Sequence, residues 1–156
     1  MSKARSHSAP AADHLALERF LPYRLSVLTN RISNALARDY AERFALSVAE
    51  WRVMAVLGRF GADTATGVCR HTAMDKVTVS RANARLLKRE LLLRKTDPED
   101  RRRTIFSRST AGQDIHDQIV PIALAFEADL LAGLSSDEIA SLDHFLAKLT
   151  DQQTPD

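Results

Sequence analysis

The stretch from Thr96 to Thr104, TDPEDRRRT, sets three consecutive arginines behind an acidic, proline-containing turn, with apolar chain on both sides. A guanidinium at the tip of a tight turn has little of its own protein to bury against. It suits a phosphate or the strong negative potential of a narrow A·T-rich minor groove. A second group of chemistry-bearing residues lies upstream in DKVTVSRANAR: Lys76, Thr78, Ser80, Arg81 and Arg85. Short polar and basic side chains at the start of a helix are what reading a duplex in its major groove requires. Arg81 can fork onto a guanine edge or clamp a phosphate, and Thr78 and Ser80 can reach phosphate oxygens or base edges.

Both groups fall between Arg70 and Arg108, where twelve Lys and Arg face five Asp and Glu. The whole chain carries only +2, so the flanks are acidic and the middle is expected to meet a polyanion. Asp100 precedes Arg102 by two residues. If strand alternation continues that far, its carboxylate shares a side with the Arg102 guanidinium and orients it outward by a hydrogen bond. Asp97 and Glu99 beside the arginines likewise point to orientation rather than bulk attraction. The plainer alternative is a turn of intramolecular ion pairs, each worth under ~1 kcal/mol when exposed.

The elements that would position these residues follow from periodicity. Leu21, Leu25, Leu28, Ile32 and Leu36 recur at steps of three and four, which predicts a helix from Leu15 to about Arg43 with Pro22 near its start. Ser47 and Glu50 form a capping-box pair for a second helix that ends at Gly58 or Gly61 and buries Val48, Trp51, Met54, Ala55 and Leu57. A short helix over Thr64–Thr72 and a break at Ala73–Met74 precede a helix capped by Asp75, packed through Val79, Ala82, Leu86 and Leu87. LLLRKT and RTIFSR read as a hairpin whose bend is preset by Pro98. Ser109 or Thr110 opens a long helix with Ile115, Ile119, Ile122 and Phe126, kinked at Pro121. The pair Ser135 and Glu138 opens a last one with Ile139, Leu142, Phe145, Leu146 and Leu149. The fold class is mainly α with a small β-hairpin wing: a winged helix-turn-helix with additional helices at both ends. Leu15, Leu17, Phe20, Leu21, Leu142, Phe145, Leu146 and Leu149 are more apolar surface than so small a domain can cover, so self-association is expected.

Composition narrows the rest. A chain of 156 residues, 45% hydrophobic, builds one domain with a real core. Its single cysteine, Cys69, excludes an internal disulfide and fits a reducing compartment. With no apolar run of membrane-spanning length and no secretory pattern in MSKARSHSAPAAD, a cytoplasmic protein is expected. His7, His14, His71, His116 and His144 lack metal-ligand spacing, and no phosphate-cradling glycine loop, nucleophile elbow or HExxH pair appears. Neither an enzyme nor a cofactor is expected. The reading from another class is a non-catalytic basic module that binds RNA or an acidic protein partner.

The segment from Met74 to Gly112, with EWRVMAVLG in the second helix, resembles the core of a MarR-type winged-helix regulator. The resemblance extends over nearly the whole chain, with DKVTVSR and DPEDRR as its most specific parts. It implies a homodimer with interleaved first and last helices that binds a pseudo-palindromic double-stranded operator, mostly as a repressor. It places Lys76, Thr78, Ser80 and Arg81 in the major groove, with Arg85 and Arg101 in the same interface, and Arg102 in the minor groove with Asp100 as its partner. It implies residues 15–150 as one domain, with 46–110 as the DNA-binding lobe and 15–45 and 111–150 as dimerisation helices. Residues 1–14 and 151–156 are tails. It further implies a small aromatic or phenolic effector; Tyr23, Arg24, Asn30 and Arg31 of the first helix and Trp51 and Arg52 of the second are candidates to hold it, the plainer alternative being that Tyr23 and Trp51 are core and the arginines surface. Such a cleft needs a cation and flat apolar walls. Three positions depart from the family pattern: Glu90 stands where a glycine ends the recognition helix, Arg108 where a leucine precedes the last junction, and Gly67 where an acidic residue is usual. The first two predict an altered or strained wing base. Cys69 reads as a small buried filler rather than a redox sensor.

Overall fold

Side-chain caps set the start of every helix but the first. In the computed structural model, which describes residues 15–153, nine elements follow one another: α1 (Leu21–Phe44), α2 (Val48–Phe60), β1 (Asp63–Thr64), α3 (Ala65–Thr72), α4 (Lys76–Lys88), β2 (Leu92–Thr96), β3 (Thr104–Arg108), α5 (Thr110–Leu131) and α6 (Ser136–Gln153). The expected N-terminal tail, 1–14, and residues 154–156 of the C-terminal one lie outside the described residues; 151–153 continue α6. Ser47 and Glu50 make both bonds of the capping box, at 3.2 and 2.8 Å. Ser135 and Glu138 repeat it, and the Ser135 N–H, followed by its hydroxyl, donating to the Glu138 carboxylate holds that carboxyl below the usual carboxylate range. Thr64 accepts from the Gly67 N–H, and Ser109 rather than Thr110 caps α5 through the Gly112 N–H.

Helix α1 begins at Leu21 rather than Leu15. Pro22 cannot donate a backbone bond and tolerates only a first turn, so residues 17–19 form a separate turn ahead of it. The core gathers Tyr40, Phe44 and Leu46 from the end of α1, Val53, Met54, Val56 and Leu57 from α2, Val68 from α3, Val79, Ala82 and Leu86 from α4, and Leu91, Leu92 and Ile119. Of the face expected for α2, only Met54 and Leu57 are fully buried, and Val53 and Val56 take the places expected of Val48 and Trp51. Helix α2 packs against α3 and α4 on one side and α1 and α5 on the other, so its buried stripe is wider and turned relative to a one-sided helix. Gly61, at φ 83°, ends it, while Gly58 stays inside. Cys69 is half-buried against the same core.

The hairpin is part of a three-stranded antiparallel sheet in the order β1-β3-β2. Arg94 pairs with Phe106 and Thr96 with Thr104 across the hairpin, and Asp63 meets Phe106 from the other edge. A two-residue strand such as β1 leaves no periodicity in sequence.

At the end of α4 the Leu91 N–H donates to Leu86 O and the Glu90 N–H to Leu87 O, each at 2.9 Å. These are the two bonds of a Schellman cap. The left-handed position that such a cap needs is filled by Glu90, at φ 57°, so the strain expected from the missing glycine is present. The same backbone anchors α5: Ser109 N–H donates to Leu91 O at 3.1 Å and the Ser109 hydroxyl to Glu90 O at 2.6 Å. Gly112 is required there, because a Cβ would collide with the Leu91 carbonyl oxygen.

Beyond this junction the terminal helices bury little. Helix α5 has only Gly112 and Ile119 fully buried, and α6 has no buried residue among the described ones. Leu28, Leu124, Phe145 and Leu146 are exposed. No single described helix is long and apolar enough to cross a membrane.

Relieving the left-handed strain gives the first prediction. Glu90→Gly should raise stability by about 1 kcal/mol, since all the bonds that Glu90 makes at the cap are backbone bonds, and thermal unfolding measures it. An unchanged or lower midpoint would show that the Glu90 side chain compensates for its own backbone.

Candidate nucleic-acid interface

Helix α4 forms because Asp75 caps it. Its Oδ1 accepts from the Thr78 N–H at 2.8 Å and its Oδ2 from the Thr78 hydroxyl at 2.6 Å. The Thr78 hydroxyl bond, followed by the backbone bonds, holds the exposed Asp75 carboxyl below the usual carboxylate range. Thr78 is therefore a member of the cap, and its only hydroxyl proton is engaged there. The helix buries Val79, Ala82, Asn83 and Leu86; neither amide atom of Asn83 has a hydrogen-bond partner among the described residues. Lys76, Ser80, Arg81 and Arg85 are all exposed on the remaining surface. Arg81 and Arg85 line a cleft of about 210 Å³ with Ser47 at the start of α2, and Ser80 lines another of about 220 Å³ with Arg94 of the wing.

The wing loop is organised differently from its sequence-based reading. Residues 97–103 lie between the strands, so alternation stops before Asp100. The Asp100 carboxylate accepts from the backbone N–H of Arg102 at 3.0 Å rather than from its guanidinium, and Asp100 O accepts from the Arg103 N–H at 2.9 Å. The tight turn thus runs from Asp100 to Arg103 with Arg101 and Arg102 at its centre. Pro98 sits in a preceding bend where the Glu99 N–H donates to Asp97 Oδ1 at 3.0 Å. Asp97 also pairs with Arg103 at 3.9 Å. The acidic residues shape the loop backbone, and the arginines project because their backbone is held. Arg102 and Arg103 share a cleft of about 540 Å³ with Arg70, Thr66 and Gly67 of α3. Arg70, which composition placed only in the basic window, thereby joins the wing cations; no local motif marks it.

Two cations of that window turn toward their own protein. Arg89 donates to Phe44 O at 2.7 Å and to Ala45 O at 2.8 Å, neutralising the C-terminal carbonyls of α1 where Ala45 is left-handed. Arg108 places its guanidinium against Gly58 and His116, with Nη1 buried and without a hydrogen-bond partner among the described residues.

The residues expected around an effector fall on two surfaces. Tyr23, Arg24 and Arg31 line a cleft of about 520 Å³ along α1. Trp51 lies instead between Tyr40 and His116, at ring-centroid distances of 5.8 and 5.7 Å. Arg52 donates to the Ser33 hydroxyl at 3.0 Å. Burial pushes the Tyr40 hydroxyl up to about 12, against the opposing pull of Arg52.

Residues 46–103, the lobe carrying both basic groups, match the model of the MarR family. Over 85% of this chain and 98% of the other, the sequence is 31% identical to a probable transcriptional regulator of Pseudomonas aeruginosa, with a TM-score of 0.72. BpsR of Bordetella bronchiseptica, whose DNA binding is regulated by 6-hydroxynicotinic acid, is 25% identical over 86% of this chain and 95% of its own, with a TM-score of 0.77. A mutant MarR of E. coli in complex with operator DNA shares the fold at 22% identity and a TM-score of 0.75, over 86% of this chain and 97% of that one. No curated protein matches the chain significantly.

The cap at Asp75 should make α4 pH-sensitive. A carboxyl whose folded-state pKa is lowered contributes stability that is complete above its unfolded value and is lost as pH falls through the folded one. Asp75→Ala should therefore be less stable than the wild type at neutral pH, with the gap closing in acid below the usual carboxylate range. Denaturant unfolding from neutral to acid pH measures this; a gap that stays constant would mean that the carboxylate charge does not hold the cap.

Proposed function

The chain belongs to the MarR family of winged-helix, DNA-binding transcription regulators, and from that premise we propose that it binds a pseudo-palindromic operator as a homodimer and represses the genes beside it. One observation carries the reading: the exposed basic face of α4 and the arginine-tipped turn are held by caps of their own, with their cations left for a partner. Lys76, Ser80 and Arg81 enter the major groove, with Arg81 and Arg85 beside the start of α2 where a backbone phosphate fits. Arg101 and Arg102 enter the adjacent minor groove, Asp100 keeps their turn, and Arg70 and Arg103 meet the flanking phosphates.

The dimer is supported by the apolar faces of α1, α5 and α6, which stand exposed in the single chain. Residues 15–45 and 111–150 join the subunits, and 46–110 bind DNA. A small aromatic acid or phenol is the effector. Its support is the apolar cleft along α1 with Tyr23 and Arg24, together with the aromatic acid that regulates the 25% identical BpsR. Trp51 and Arg52 belong to the wall between α1 and α2 rather than to that cleft, so their part is to transmit the effector's presence to α2.

Fluorescence-anisotropy titration against the protein's own upstream DNA and a scrambled duplex tests the reading. The first should bind far more tightly, and Arg102→Ala should lose roughly 1–3 kcal/mol of that affinity; a folded Arg102→Ala variant that binds as the wild type does would remove the minor-groove contact. Phe145→Asp should shift the protein from dimer to monomer in sedimentation, with loss of operator binding. A variant that remains dimeric would put the subunit interface elsewhere.

A further inference from the structure

The outward face of α4 is not uniformly charged. At about 100° per residue, the direction opposite the buried stripe of Val79, Ala82, Asn83 and Leu86 falls on Val77 and Lys88, with Arg81 and Ala84 to either side. Val77 is 57% exposed in the first turn. A β-branched apolar residue there gains nothing from water and is a poorer helix former than the charged residues a solvated face would carry. It stands on α4, a different helix from α1, α5 and α6, which carry the apolar faces exposed at the two ends of the chain. Its surroundings select a polyanionic partner: Lys76 and Arg81 flank it, and the hydroxyl of the adjoining Thr78 is engaged by Asp75. The first turn thus offers cations for phosphates or guanine, and one apolar surface at its centre. In the major groove the apolar feature that distinguishes one base pair from the others is the C5 methyl of thymine.

We infer that Val77 is a specificity-determining residue, packing its methyls against the C5 methyl of one thymine in each half-site. The inference rests on the operator reading above. It specifies which base pair the apex of α4 selects, where Arg81 alone would select guanine.

Duplexes recovered from a random-sequence library by the full-length protein supply the probe. Each thymine is then replaced singly by deoxyuridine, which removes the methyl and leaves the pairing intact. At one thymine per half-site, the substitution should weaken wild-type binding roughly fourfold, the effect of exposing one methyl. It should leave Val77→Ala unaffected, since that variant has already lost the contact. Because Val77 is exposed and alanine is the better helix former, the variant should keep or slightly raise the wild-type unfolding midpoint. Equal deoxyuridine penalties in the two proteins would overturn the role of Val77 while leaving the operator reading intact. A library that yields no enriched sequence would overturn the operator reading, and this inference with it.

Discussion

The backbone of Glu90 and Leu91 joins three elements at one point. The Leu91 N–H closes α4 on Leu86, the Leu91 carbonyl receives the start of α5 from Ser109, and β2 leaves from the next residue. Gly112 lets α5 approach that carbonyl without a Cβ in the way. The direction of α4, the root of the wing and the start of α5 are therefore not independent. A displacement of α5 relative to the lobe would strain these bonds together with its packing against α2 and β3. That the junction tolerates a left-handed glutamate shows how fully its surroundings determine it.

Basic residues divide into two populations that charge counting cannot separate. Arg89 spends its donors on the last carbonyls of α1, Arg52 ties α2 to α1, and Arg108 is tucked beneath Gly58 and His116. Arg89 and Arg52 thereby bond the lobe to α1 and its end. Arg81, Arg85, Arg101 and Arg102 remain on the surface, on elements whose first turn or tip is held by Asp75 and Asp100. Carboxylates in a basic surface usually weaken attraction to an anion. Here they act on backbone and hydroxyl groups, so the guanidiniums are positioned without being neutralised. Arg103, paired with Asp97, lies between the two populations.

Local rules were legible wherever one residue acts on its own turn. Ser47 with Glu50, Asp75, Ser109, and Ser135 with Glu138 all cap the helices their spacing indicated. The order of helices and the hairpin followed from periodicity and turn chemistry. Legibility failed where two elements meet. The α2 face was misjudged because that helix packs on both sides, and β1 escaped because a two-residue strand exists only through its partner β3. The orientation assigned to Asp100 failed because strand alternation was extended into a loop. There a carboxylate two residues from an N–H finds the backbone before it finds a guanidinium.

The amino-acid sequence by itself determined the element order, the caps, the basic middle and the apolar excess at both ends, because these depend on neighbours within a turn or two. Only the tertiary structure decided which cations stay free, that Arg70 stands beside the wing, and that Tyr23 and Trp51 part company. Those outcomes depend on which groups from distant parts of the chain reach one another first. A buried carbonyl or a close backbone approach takes a side chain that local pattern would have left to solvent.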